Sequence, residues 1–374
     1  MKVMVTGSRA PVALDLMRAL HSQGHQVYSA DSMRFPACRF SKSVHQHSVL
    51  PSPNANPQGY YQALKQAIQQ HQIDYLIPTC EEIFFISRFH KELSMYCKLF
   101  LDPLEKLSIL HDKYQFAQFC RKCLIKVPQS YLVSTNQDKE TLPTIDLVLK
   151  PVFSRFASHA LIKPGKQQIQ ALDVRVPYVA QEFISGTEYC VYAIAHEGTL
   201  LAHAAYQPKY TAGAGAGIYF EPINLKEIEL FITHLVQKIQ FTGQISFDFI
   251  QAADGLYVLE CNPRATSGLH LLAQHVNWQE ILNGHGQTVP KADKPKMLKF
   301  AMLSYGISNF FSPHRKEFMQ DYQRAIDVLN ISWDKWMHLK SLPAFVEILL
   351  KSIRFNKSFK EATTHDIEWN GESF

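Results

Sequence analysis

Hydrophobic positions in the first hundred residues follow two alternating periods. Short apolar runs read as strands at 2–6, 26–30 (ending at Asp31), 73–78 and 98–101. Between the first two, Val12, Leu16, Ala19 and Leu20 recur at helical spacing up to Gly24, and another helix begins near Glu81. This βαβ rhythm predicts a parallel sheet with helices on its faces.

The pattern changes after Pro103. Residues 111–123 predict a helix. From about 129 to 260 short strands dominate, with one strong helix at 225–239. Beyond Pro290 the chain reads as helical and basic, with 13 Lys and Arg against 10 Asp and Glu in 291–374. A chain of 374 residues is too long for one typical domain. The expected division is a Rossmann-like α/β domain at 1–105, an α+β domain at 106–290 in two halves (106–180 and 181–290), and a helical C-terminal extension at 291–374.

Composition narrows the class. Apolar residues make up 46% and charged residues 19%, an ordinary globular balance. The net charge of +5 comes without a basic stripe interleaved with aromatics, so no nucleic-acid partner is expected. Seven cysteines in no framework spacing read as reduced thiols. Cys120 and Cys123 form a C-x-x-C on a helical pattern, with no second pair to complete a zinc site. No apolar stretch approaches the ~20 residues of a membrane span. Residues 1–6 read as a strand rather than a signal peptide, and a cytoplasmic location is expected.

The turn after the first strand, Gly7-Ser8-Arg9-Ala10-Pro11, has one glycine and lacks G-x-G-x-x-G. NAD binding is therefore not expected. Asp31, Glu81 and Glu82 follow strand ends, where they either line a substrate pocket or serve as helix N-terminal acids.

The most informative segment is 243–264. From Gly243 to Ile250 the chain alternates, with Ile245, Phe247 and Phe249 on one face and Gln244, Ser246 and Asp248 on the other. Asp254-Gly255 signals a turn, and 256–260 is the return strand. Folding about residue 254 sets Asp248 opposite Glu260 to within about one residue of register, with Asn262 on the same face as Glu260. Facing carboxylates repel, and a hard divalent cation with oxygen ligands removes that repulsion. Asp248, Glu260 and Asn262 are the candidate metal ligands. Arg264 adds a fixed positive charge for a phosphate or carboxylate.

These residues resemble a known family. Phe247-Asp-Phe-Ile, followed twelve residues after the Asp by Leu259-Glu-Cys-Asn-Pro-Arg264, resembles the metal signature of ATP-grasp enzymes such as biotin carboxylase and carbamoyl-phosphate synthetase. His111-Asp-Lys113 resembles the family's entry helix, and Val148-Leu-Lys-Pro151 the strand bearing a second phosphate lysine. Ala180-Gln-Glu-Phe-Ile-Ser-Gly-Thr-Glu188 resembles its hinge strand. The resemblance covers roughly 106–280 and implies ATP with Mg²⁺ (or Mn²⁺). It assigns Lys113 and Lys150 to phosphates, Gln181, Glu182, Phe183 and Ile184 to adenine, and Glu188 to ribose. It implies a ligase joining a small carboxylate to an amine or other nucleophile through an acyl phosphate, with a homodimer as an option. Alternatives are a nucleotide-binding regulatory protein and a carboxylase subunit, although no biotin-carrier motif is present.

The sequence departs from the family after Lys150. Phe153-Ser-Arg-Phe-Ala-Ser-His159 has no glycine, which leaves Ser154, Arg155 and Ser158 to hold phosphate by side chains; Arg155 joins Lys150 and Arg264 as candidate catalytic residues. A glycine-rich run, Tyr210 to Ile218, is expected to be a lid, with Lys209 and Tyr210 at its edge. Ser267-Gly268 at a helix start offers amides to an anion, with Thr266 or Ser267 as a plain N-cap the simpler reading. The amphipathic helix at 343–355 is expected to dock on the main body rather than on a membrane surface. In the tail, Ile367 and Trp369 are expected to be anchors.

Overall fold

A computed structural model describes residues 1–154, 160–212, 215–286, 294–305 and 312–372. The first sheet contains β1 (Lys2–Thr6), β2 (Gln26–Asp31), β3 (Gln46–Val49), β4 (Tyr75–Ile77) and β5 (Lys98–Leu99), all parallel in the order β3-β2-β1-β4-β5. Helices Pro11–Ser22 and Pro57–His71 make two of its crossovers, and Glu82–Arg88 with His90–Leu93 another. Pro11 opens the first because a helix's first N–H needs no partner. This is the expected Rossmann-like arrangement, with one strand more than the sequence reading: β3 is polar and partly exposed.

The second sheet is antiparallel, in the order β6-β9-β7-β8: β6 (Ser130–Val133), β7 (Leu147–Pro151), β8 (Leu161–Ile162) and β9 (Tyr178–Glu182). The third holds β10 (Thr187–His196), β11 (Thr199–Ala212), β12 (Ala216–Ile223), β13 (Gly243–Ala252), β14 (Gly255–Asn262), β15 (Lys296–Met297) and β16 (Ile326–Asp327). Its order is β14-β13-β10-β11-β12-β15-β16. Helix Lys226–Ile239 buries Ile228, Ile232, Leu235 and Val236 at helical spacing against this sheet. The fold class is thus α/β followed by α+β.

Two local expectations are corrected and a third is refined. The helix read over 111–123 is Lys113–Lys122, and a separate helix, Leu104–His111, precedes it. Asp112 breaks them by leaving helical geometry to accept the N–H groups of Tyr114 and Gln115 as an N-cap. The region 291–374 is not wholly helical, since β15 and β16 extend the third sheet. Helix Leu342–Phe355 does dock on the body, but through its polar face.

The tail is bound at the carboxyl ends of the first sheet. Arg9, at the turn after β1, pairs with Asp31 at 2.6 Å and with Asp366 at 2.5 Å. Asp366 also accepts from Ser32 and Lys351, each at 2.8 Å. Ile367 and Trp369 are buried, as expected of anchors. Gly371, at φ +85°, lies against Phe153, and a Cβ there would sit 2.4 Å from the ring.

Candidate active site

The site forms where the β13–β14 hairpin faces β7 and the start of helix Lys113–Lys122. Asp248 pairs directly with Glu260 across the hairpin, the register the sequence predicts, and Ser246 pairs with Asn262. Apolar neighbours on the other face, Ile245, Phe247 and Phe249, are buried beneath helix Lys226–Ile239. That packing fixes which face carries the carboxylates.

Two lysines converge on Glu260. Lys150 on β7 lies 3.2 Å from its Oε2, and Lys113 lies 3.8 Å from the same oxygen. Lys113 also donates to the carbonyl of Ser154 at 2.8 Å. A lysine at the end of an apolar strand is thereby aimed inward rather than at solvent. Burial raises the proton affinity of both carboxylates. For Asp248 the charge of Glu260 adds to that rise. For Glu260 the two lysines outweigh it and hold the group well below the usual carboxylate range.

Asn262 donates to Glu260 Oε1 at 3.5 Å, and its own carbonyl lies 3.4 Å from an Arg264 nitrogen. Arg264 is further oriented by Glu81, at 3.0 Å from Nε, and by the carbonyl of Ala265. Glu81 also faces His111 at 3.7 Å. Two carboxylates and one amide oxygen form a donor set that would suit a hard cation. Among the described residues there is no group of three His, Cys, Asp or Glu to hold a metal by themselves.

The hinge residues divide. The N–H groups of Glu182 and Phe183 bond the carbonyls of Gln129 and Asp146, and the Glu182 carboxylate accepts from Gln129 N–H. The buried Gln181 amide reaches Ser130 and the carbonyl of Leu259. Ile184 N–H makes no hydrogen bond among the described residues, and Glu188 is exposed at the start of β10. Arg155 and Ser158 lie outside the described residues.

Other expectations move. Asp31 belongs to the Arg9 network and accepts from Met33 N–H, while Glu82 ties β1 to β4 through Thr6, Thr79 and Cys80. Gly7, at φ +70°, makes that contact possible, because a Cβ would meet Glu82 Oε1 at 2.8 Å. Only Glu81 of the three acids reaches the site. Gly213 lies outside the described residues, and the flanks of its run pair as strands, with Thr211 opposite Gly217. Lys209 and Tyr210 bond Asp321 of helix Arg315–Arg324. Helix Leu269–Leu272 starts at Gly268 with no side-chain cap, and Thr266 instead bonds Ser246. Cys120 is buried, and it and Cys123 are free thiols.

Trp369 is the residue that sequence reasoning did not place here. Its ring stacks on Phe84 at 4.9 Å and meets Phe153 edge-on at 5.1 Å, and Phe84 stacks on His111 at 4.6 Å. The tail thus walls the site beside Glu81.

The family model described as an ATP-grasp domain matches residues 110–268. Several solved structures share the fold. N5-carboxyaminoimidazole synthetase from Staphylococcus aureus aligns with TM-score 0.63 and 13% identity, over 92% of this chain and 96% of that one. L-amino acid ligase from Bacillus licheniformis aligns with TM-score 0.60 and 17% identity, over 76% and 75%. The biotin carboxylase domain of Hydrogenobacter thermophilus 2-oxoglutarate carboxylase, solved with MgADP, ADP and bicarbonate, aligns with TM-score 0.61 and 13% identity, over 79% and 73%. The hairpin carboxylates, the two lysines and Arg264 all lie inside the matched span, and residues 110–268 are an ATP-grasp domain.

Proposed function

We propose that the protein is a Mg²⁺- and ATP-dependent ligase that activates a small carboxylate as an acyl phosphate and joins it to an amine. The observation that carries this reading is the convergence of Lys113 and Lys150 on Glu260, with Asp248 directly across the hairpin. Phosphoryl transfer needs little covalent help from a protein; it needs positioning and cations around the spreading charge. The MgADP held by the biotin carboxylase neighbour, which shares the fold, supports the same use of the cleft.

In this reading Lys113 and Lys150 bind the ATP phosphates. Asp248, Glu260 and Asn262 would hold Mg²⁺, which would supply positive charge against the phosphates. The substrate carboxylate oxygen bonds the γ-phosphorus as the bond to ADP breaks. Arg264, already oriented by Glu81 and Asn262, holds the acyl phosphate. The amine nitrogen then bonds the acyl carbon, phosphate leaves, and the nitrogen's proton passes to water. Ile184 N–H and the exposed Glu188 serve adenine and ribose.

A screen of amino acids and small carboxylates for stimulated nucleotide turnover tests the reading. ADP and phosphate are the expected products. AMP and pyrophosphate as the main products would assign the site to adenylation. Within the same screen, Lys150→Ala is expected to weaken nucleotide binding or turnover by about 1.5–3 kcal/mol, the range of a charge-assisted hydrogen bond. Unchanged kinetics would reduce Lys150 to a structural partner of Glu260.

A further inference from the structure

Helix Leu342–Phe355 carries its apolar stripe outward. Leu342, Phe345, Val346, Leu349, Leu350 and Ile353 recur at spacings of three and four, so they share one face. All six are 42–71% exposed. The opposite face meets the body: Ala344 is its buried residue, Glu347 accepts the N–H groups of Arg34 at 3.0 Å and Phe35 at 2.8 Å, and Lys351 donates to Asp366 at 2.8 Å. Rolling the stripe inward would break these three bonds. The preceding residues extend the patch, with Leu339 and Trp336 exposed by 59% and 68%. A contiguous apolar face of this kind marks an interaction surface.

Charge indicates what covers it. Between 335 and 360 the chain has Lys335, Lys340, Lys351, Arg354, Lys357 and Lys360, and its one acid is Glu347. Lys340 pairs with Asp334 and Lys351 with Asp366. Glu347 is held by backbone N–H groups, whereas Lys335, Arg354 and Lys357 are exposed around the stripe. Arg34 and Arg39, also exposed, flank it from the turn that Glu347 grips. A second copy related by a two-fold axis would set this basic rim against itself. An anionic bilayer surface supplies the opposite charge together with an apolar interior for the stripe. Trp336 at the edge suits the headgroup level.

We propose that helix Leu342–Phe355 lies in the plane of an anionic lipid surface and attaches the protein to it, stripe toward the lipid and polar face toward the body. No helix among the described residues is long and apolar enough to cross a membrane, so the attachment is one-sided.

Co-sedimentation of the full chain with lipid vesicles tests this. The protein is expected to bind vesicles of equal parts phosphatidylglycerol and phosphatidylcholine at low salt, and to bind pure phosphatidylcholine weakly. Leu350→Asp combined with Ile353→Asp is expected to lower the partition coefficient about tenfold or more. The thermal midpoint should stay unchanged, because both side chains are exposed. Arg354→Glu with Lys357→Glu is expected to remove the preference for anionic lipid. Absence of binding, equal binding to both vesicles, or binding indifferent to the Asp pair overturns the proposal. A lipid-free dimer that the Asp pair dissociates would assign the face to a second copy instead.

Discussion

Glu260→Ala is expected to cut turnover about a thousandfold, roughly 4 kcal/mol of transition-state stabilisation, while the protein still unfolds cooperatively. Glu260 serves two purposes at one position. It is the counter-charge for Lys113 and Lys150, and it completes the oxygen set with Asp248 and Asn262. In the proposed reading its removal takes the nearest carboxylate from both lysines and leaves Asp248 as the one carboxylate for the metal. The hairpin itself survives, because its register is held by backbone pairing and by the buried Phe247 and Phe249 beneath it. Glu260→Gln, which keeps the shape and loses the charge, is expected to fall nearly as far. ADP release at saturating Mg²⁺ and substrate reads both variants. Wild-type turnover in either would move the metal site elsewhere.

Arg9→Met is expected to lower the free energy of unfolding by about 3–5 kcal/mol, the cost of leaving buried charges without a partner. The guanidinium binds two carboxylates whose side chains are only 1% and 12% exposed, Asp31 and Asp366. Burial alone would raise the proton affinity of Asp366, but Arg9 and Lys351 hold it well below the ordinary value. The sign of the pH dependence follows. A carboxylate with a lower pKa in the folded state contributes stability that is complete above its unfolded value, about 4. That contribution is lost as pH falls through the folded value. Denaturant midpoints in this acid range should therefore converge for wild type and Asp366→Asn, having been well separated near neutrality. A gap that persists in acid would show that the Asp366 charge contributes nothing.

Much of the site is legible in the chain because it is local. Asp248 and Glu260 lie on one hairpin, and the two-residue period plus the Asp254-Gly255 turn bring them within one residue of each other; a bulge between Asp248 and Phe249, which has no signature in the sequence, makes the pairing direct. The break at His111-Asp112 was equally local, since Asp before Lys-Tyr-Gln is an N-cap signal, but the apolar spacing on both sides masked it. β3 escaped because Gln46-His-Ser-Val49 has no apolar alternation to betray an edge strand. β15 and β16, of two residues each, carry too few positions to show a period. The helix at 342–355 shows its stripe plainly, yet the direction it faces depends on Glu347 and Lys351 finding partners far away in sequence. The Arg9 network has no local signature at all, since its members are joined only by the fold.

That network has a consequence for how the molecule is made. Arg9 and Asp366 are 357 residues apart. At a synthesis rate of 5–20 residues per second, roughly 20–70 s separate their appearance. Throughout that interval the first sheet can form, with Arg9 holding Asp31 alone, and Phe84, His111 and Phe153 wait without the indole that later packs on them. Closing a contact of such sequence separation comes late on entropic grounds as well. The Trp369 side of the cleft is thus laid long after the sheet that it packs beside, and a nascent chain lacks a finished site until that late contact closes.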